Sequence, residues 1–534
     1  AGVITLHNAR FVMGGVPLLY SPYWQYPLKR RSGMLLPEIG FGKRRGTEVA
    51  VPLYWAGGTN WDATLTPRWM TARGLQLALE ARHAWAKGHE IIKIEGLHDK
   101  VLGTNRKAGS AKIAWQLAPA LAFSMSGQYI GDRAYLADFS LDSTKAAQRY
   151  LTNQAALHWQ GKYGYSELSA LRGQNLVAAN DAGTLQILPR LESSDRIPLR
   201  SSGLVFGLDQ QSTNFSRAIG VAGVRVVAAP YLELPWQLAG GGLAALLHIG
   251  TRYNYYQLRN GVVPHHQSLS SVDASFSLRA DIARVSSNHL WRHLISSTVR
   301  YDLVQAPDQS RLVNFDSNFS RLTMGNLLSS NRFTGHDRVE RANRVSLLLA
   351  QSLQHKGSIH DPARELLRIA VGASYDMLRQ SVDPARMPTP TQPWSNLLGE
   401  ASFSPWSVLT MAADGQYDAA SHYWARSSAS ANLHDGRNDR LQVAFRRTDG
   451  RYAAADSRLT VTGLLNLVNR WRTTGSWDYD LRQRLTRNAS VMLEYNHPCW
   501  QIGVEGFRNT LATASSARTN TGFRIQFALK GVGG

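Results

Sequence analysis

The sequence predicts an all-β chain, a transmembrane antiparallel β-barrel of about 26 strands, on three observations. Apolar and polar residues alternate with period two from end to end. No run reaches the ~18 apolar residues that a membrane-crossing helix needs; the longest, Leu238–Gly250, is interrupted by glycines and His248. No repeat of fixed period marks a propeller or solenoid. Charged residues are sparse at 18%, below the roughly 25% of soluble domains. The 15 Trp and 20 Tyr suit interfacial girdles. A soluble sandwich fits the alternation too, and solubility without detergent would separate the two.

Taken in order, the first element is a hairpin with arms at about Met34–Phe41 and Thr47–Tyr54, joined by the turn Gly42-Lys43-Arg44-Arg45-Gly46. Pro37 and Pro52 interrupt the arms. Proline lacks an N–H and removes a ladder bond, so it belongs at edges or at places where pairing is meant to be weak. A turn centred between Arg44 and Arg45 sets the two prolines directly across from each other. The Lys43-Arg44-Arg45 tip is expected to face solvent.

Alternation then recurs at Leu75, Leu77 and Leu79, each flanked by Gln76, Ala78 or Glu80. Arg338–Leu353 reads equally as helix or strand. Leu367–Tyr375, Leu441–Arg446, Trp500–Glu505 and finally Phe523, Ile525, Phe527 and Leu529 alternate cleanly. Turn-rich stretches lie at Asp99–Ser110, Asn180–Gly183, Asp435–Asp439 and Thr510–Thr521. At roughly 20 residues per strand and connection, about 505 residues make roughly 26 strands.

Catalytic and cofactor signals are missing from the sequence: no GxSxG, no P-loop, and no partner at ligand spacing for His265-His266. We therefore expect no enzyme activity, no metal and no cofactor. The net charge of +21 suits a lumen that handles a polyanion, but nothing matches the basic–aromatic pattern of single-strand nucleic-acid binders. The single cysteine, Cys499, allows no internal disulfide.

Seven segments carry a resemblance. They are VPLLYSPYWQYPLKRRSGMLLPEIG, VPLYW, NWDATLTPRWMTARGLQL, GVRVVAAPYLELPW, NRFTGHDRVERANRV, EYNHPCW and TGFRIQFALKG. In that order they resemble the LptD family of lipopolysaccharide-assembly outer-membrane proteins, nearly end to end. The resemblance implies a multi-pass barrel in the outer membrane of a Gram-negative bacterium, at 29–534. It implies that 1–28 is the tail of a periplasmic β-jellyroll plus linker, most of which precedes this sequence. Its implied partners are an LptE-like plug lipoprotein in the lumen, lipopolysaccharide itself, and the periplasmic bridge protein LptA, reached only through the jellyroll.

The resemblance also implies a lateral gate between a first strand near Gly33–Phe41 and a last strand near Gly522–Lys530. Gly33, Pro37, Phe41, Pro52, Phe523, Ile525 and Phe527 would form it; the plainer alternative is ordinary edge prolines. Lys29, Arg30 and Arg31 would meet lipid phosphates or form a solvated boundary. Cys499 matches the second of two adjacent family cysteines that bond to the N-terminal domain, against an inert buried thiol. A passive porin or hydrophobic-compound channel is the alternative function, and it would conduct ions without a plug.

Overall fold

A computed structural model of the chain describes residues 3–13, 16–27, 30–35, 37–140, 145, 148–199, 202–261, 264–358, 361–378, 392–498, 500–512 and 517–529. From Gly33 to Leu529 the strands close into one antiparallel barrel. Twenty-eight strand segments form it. The first strand is Gly33–Met34 plus Glu38–Gly42, and the second is Gly46–Ala50 plus Leu53–Trp55, each broken near its proline. Counting each broken arm once makes 26 strands. Val3–Met13 and Val16–Pro27 form a separate two-stranded sheet.

Closure pairs every barrel strand with a neighbour on each side along at least part of its length, as a bilayer requires, because no water is available there to satisfy an open ladder. The alternation sorts side chains between lipid and lumen. In the strand Gly74–Trp85, Leu75 and Leu77 face outward, about half exposed. Gln76 between them is buried and donates a hydrogen bond to the Tyr135 hydroxyl at 2.9 Å.

The two rims differ. One carries the long connections 131–149, 176–185, 306–341 and 377–396; on the other the longest is 356–363. Outer-membrane barrels keep short turns on the periplasmic side and long loops outside, so the first rim faces the cell exterior. The first hairpin's turn lies on that rim, and its strands descend to the short-turn rim.

Some elements differ from the sequence reading. Arg338–Leu353 is neither helix nor wholly strand: the strand is Ala342–His355, preceded by the end of the longest loop. Most of Asp99–Ser110 and Thr510–Thr521 is strand, within Thr104–Ala118, Trp500–Ala512 and Ala517–Leu529. Polar composition suggested loops there, but a strand whose inner face lines a wet lumen can be polar and regular.

Candidate functional site at the barrel seam

The closing strand Ala517–Leu529 is held very differently on its two sides. It pairs with Trp500–Ala512 along its whole length, from Trp500↔Leu529 to Ala512↔Ala517. Against the first strand it pairs at only four positions: Gly522↔Gly42, Phe523↔Phe41, Arg524↔Gly40 and Ile525↔Ile39. One further bond, from the Lys43 N–H to the Thr521 carbonyl at 3.3 Å, closes the top. At about 0.5–1.5 kcal/mol per ladder bond, four pairs contribute about 2–6 kcal/mol, roughly a third of the full-length ladder.

The prolines account for where the pairing stops. Extending the seam register by two residues would set Pro37 across from Phe527, and the ladder ends before it. Below that point Gly33–Met34 pairs with Leu53 and Tyr54, not with the closing strand. Gln526–Leu529 therefore has no first-strand partner among the described residues.

Pro37 and Pro52 do not face each other. The hairpin register is Glu38↔Ala50 through Gly42↔Gly46, centred on Arg44, which staggers the prolines by one position. The three-residue tip closes at Gly46, whose φ of 73° is left-handed. An added Cβ there would lie 2.1 Å from Thr71 Oγ1. This turn geometry sets the register that the symmetric reading missed.

A third proline completes a row. Val51 donates its N–H to the Pro67 carbonyl at 3.0 Å, and Leu35 donates to the Pro52 carbonyl at 2.8 Å. Neither proline can return a bond, so each cross-strand contact is one-sided. Pro37, Pro52 and Pro67 thus weaken the first three strands at one level. Their equal spacing along the chain was the available signal for Pro67.

Little besides this short ladder crosses the seam. Phe41 and Phe523 stack on the outer face with centroids 6.2 Å apart. On the lumen side, Arg524 pairs with Glu505 in its own hairpin, and Arg45 pairs with Glu48 in its own, at 3.0 Å. No ion pair joins the two hairpins among the described residues. Gly522 permits the close approach, since a Cβ there would sit 2.2 Å from the Phe41 carbonyl oxygen. Gly522→Val is expected to push the first strand away and raise uptake of a large hydrophilic antibiotic; unchanged uptake would show that the backbone absorbs the clash.

The lumen beside the seam is a polar chamber of about 420 Å³, bounded by Glu38 and Pro52 on one side and roofed by Tyr135 and Phe139. The roof is the short helix Tyr135–Phe139 within the 131–149 connection. Its apolar side packs into a buried cluster with Met70, Leu97, Ile130 and Leu151.

Loop 306–341 covers another part of the mouth. Arg225 is fully buried, with 2.7 Å bonds to both Asp316 and Asp337. The Asp337 carboxylate also accepts the Phe315 and Asp316 N–H groups. Asp316 is held down at about 2, against burial, by its hydrogen bonds and charge contact with Arg225. Burial, together with the charges of Arg252 and Arg225, lowers His336 to about 4. His336 is therefore neutral at pH 7, and its Nδ1 accepts from Arg252 at 2.9 Å. Phe315 stacks on Phe215 at 4.2 Å, and Arg321 reaches over the Tyr452 ring of another loop. None of these loop contacts had a sequence signal, because the partners lie far apart in the chain.

The basic residues before the barrel divide. All five Arg30 donors are used, on the Tyr54 hydroxyl, the Gly58, Thr59 and Trp61 carbonyls, and Asp62. Arg30 thus ties the chain to a short-rim turn. Arg31 is exposed. Lys29, Cys499 and the Phe527 side chain lie outside the described residues; the Phe527 backbone pairs with Ile502. The tip Lys43-Arg44-Arg45 is not uniformly solvent-facing: Lys43 is exposed, but Arg45 is 3% exposed and donates to the Phe139 carbonyl. The tip is too short to clear the neighbouring 131–149 loop, whose carbonyls draw in both arginines. His266 receives a 2.8 Å contact from the Tyr255 hydroxyl, and no cluster of three potential metal ligands occurs among the described residues.

Residues 104–465 match the family model described as LptD, LPS transport system D. The chain belongs to the LptD family. It is 28% identical to an LPS-assembly protein LptD from Chromobacterium violaceum, over 100% of this chain and 68% of that protein. A second LPS-assembly protein LptD, from Thiobacillus denitrificans, is 25% identical over 99% of this chain and 72% of its own length. Among solved structures, the apoprotein form of the FrpB iron transporter from Neisseria meningitidis aligns with a TM-score of 0.36 and 8% identity, covering 98% of this chain and 86% of that one. Family membership and the 26-strand barrel make this a multi-pass protein of the Gram-negative outer membrane.

Proposed function

We propose that this barrel delivers lipopolysaccharide to the outer leaflet through the seam between its first and last strands. The observation that carries the reading is the short ladder, four pairs on one side of the closing strand against a full-length ladder on the other. Opening any junction in lipid exposes backbone groups that water cannot satisfy, so the junction with the fewest bonds opens at least cost. The unpaired stretch Gln526–Leu529 lies toward the short-turn rim, the side from which a lipid carried across the periplasm would arrive.

In this reading the acyl chains pass sideways between the strands while the sugars stay in the polar lumen. Phe41, Phe523, Ile39 and Ile525 present an apolar outer lip for the chains. Gly33 and Pro37 keep the lower first strand off the closing strand, and Pro52 and Pro67 soften the strands behind it. Barrel residues only lower a barrier here; the driving energy comes from machinery that pushes lipid toward the seam. An LptE-like lipoprotein would fill the rest of the lumen, and a bridge protein such as LptA would dock on a preceding jellyroll, of which 1–28 would be the tail. Cys499 would bond to that domain.

Replacing prolines tests the seam. The double change Pro37→Val, Pro52→Val restores N–H donors and β-branched side chains, adding about 0.5–1.5 kcal/mol per recovered bond. Surface lipopolysaccharide, labelled on intact cells, is expected to arrive several-fold more slowly, by roughly the factor that one or two such bonds imply. Normal arrival with an intact barrel would remove these prolines from the gate.

A further inference from the structure

Four arginines from three places on the barrel wall converge on one short helix above the lumen. Arg44 and Arg45 come from the tip of the first hairpin, Arg73 from the next outer turn, and Arg106 from the strand Thr104–Ala118. Arg44 donates to the Ala137 carbonyl at 2.7 Å, and Arg45 to the Phe139 carbonyl at 3.2 Å. Asp138 is the common node, with Arg44 at 3.6 Å, Arg73 at 3.5 Å and Arg106 at 2.8 Å. Arg106 also lies over the Phe139 ring at 4.7 Å and bonds Asp99 and Asp132.

This arrangement divides the arginines into two groups. Arg73, in the turn between two strands joined by a full ladder, and Arg106, on a strand fully laddered to its neighbour, hold the helix to the wall. Arg44 and Arg45 stand on the hairpin that forms one lip of the weak seam. A lip that swung outward would carry those two arginines with it and break their bonds to the helix. A helix that lifted off its seat would remove two side-chain anchors from the top of that lip, leaving the tip tied to the next turn by Arg73 Nε on the Arg44 carbonyl and the Ala72 N–H on the Arg45 carbonyl, each at 3.1 Å.

We infer that Arg44 and Arg45 are positioning residues that couple the Tyr135–Phe139 lid to the lateral seam, so that seating the lid and closing the seam favour each other. The inference rests on the seam reading above. It adds that the chamber roof and its side wall move as one device, opening upward and sideways together. Coupling of this kind is reciprocal: biasing one element shifts the other by the same factor.

The test uses outer membranes carrying the full-length protein with Cys499→Ser, Phe41→Cys and Phe523→Cys, plus Ala137→Cys as a reporter on the lid. Labelling at position 137 by a bulky maleimide is compared with the seam disulfide formed and with it reduced. The 41–523 bond is formed first with a mild oxidant and checked by gel mobility. Locking the seam is expected to slow labelling roughly five-fold or more, the low end of measured intersite coupling. In Arg44→Ala, Arg45→Ala protein the lock should leave the rate unchanged, while Arg44→Lys, Arg45→Lys should keep part of the effect.

Equal labelling with locked and unlocked seams in the parent protein would overturn the coupling. That arm needs neither arginine variant, so a double variant that fails to assemble does not shield the idea. The measurement involves no lipopolysaccharide. Its failure therefore leaves lipid delivery untouched, and a failure of lipid delivery in cells leaves the lid–seam coupling standing.

Discussion

Arg225→Ala is expected to unseat the loop 306–341 and open the outer mouth of the barrel. The guanidinium is fully buried and bonds two carboxylates, one of them fully buried itself. Deleting it leaves Asp337 buried without its cation, and breaking a buried pair in this way costs about 3–5 kcal/mol. Other fastenings of the loop to the barrel include the stacked Phe215–Phe315 pair, the Asn254–His336 and Arg252–His336 bonds, the Val313–Gln267 bond and the packing of Val339 on Leu269 and Val304. A loss of that size raises the open population of the mouth by roughly a hundred- to several-thousand-fold. Single-channel conductance in planar bilayers should change from mostly closed to mostly open, and cells should become sensitive to large antibiotics. Arg225→Lys keeps a charge but loses the fork that spans both carboxylates, so it should fall between the two. A closed Arg225→Ala channel would mean that the loop is held elsewhere.

A disulfide across the seam is expected to have the largest effect of all. Phe41 and Phe523 are direct cross-strand partners on the outer face. Paired antiparallel positions have Cα separations of about 4.5–5.5 Å, within the range that a disulfide spans. The covalent bond replaces a junction worth about 2–6 kcal/mol with one that thermal motion does not open. Cells that depend on a Phe41→Cys, Phe523→Cys form in a Cys499→Ser background should stop growing when oxidised and recover with a permeant reductant. Growth under full oxidation, with the crosslink confirmed on gels, would mean that lipid leaves by another route.

The barrel was legible because the membrane imposes a strict pattern. Lipid on one side and water on the other force period-two alternation, which Leu75–Leu79 and Phe523–Leu529 show without any tertiary information. The weak seam was half legible. Prolines are visible in any sequence, but their register depends on a turn that Gly46 closes one residue earlier than symmetry suggests. The loops were not legible. Arg225 finds Asp316 and Asp337 across the lumen mouth, and Arg45 finds the Phe139 carbonyl, because folding brings chain ends of distant strands together. A lone arginine on a strand carries no mark of such a partner, and a basic tip reads as solvated until its neighbour is known.

The most direct measurement is the arrival of pulse-labelled lipopolysaccharide at the surface of cells whose barrel is locked at one of two places. One lock joins positions 41 and 523 across the seam. The control joins positions 443 and 461, an outward pair within the fully laddered junction of Arg440–Thr448 with Asp456–Asn466. The seam lock should stop arrival and the control lock should leave it unchanged, with reductant restoring the first. If both locks slowed arrival equally, or neither did, lipid would not be leaving between the first and last strands.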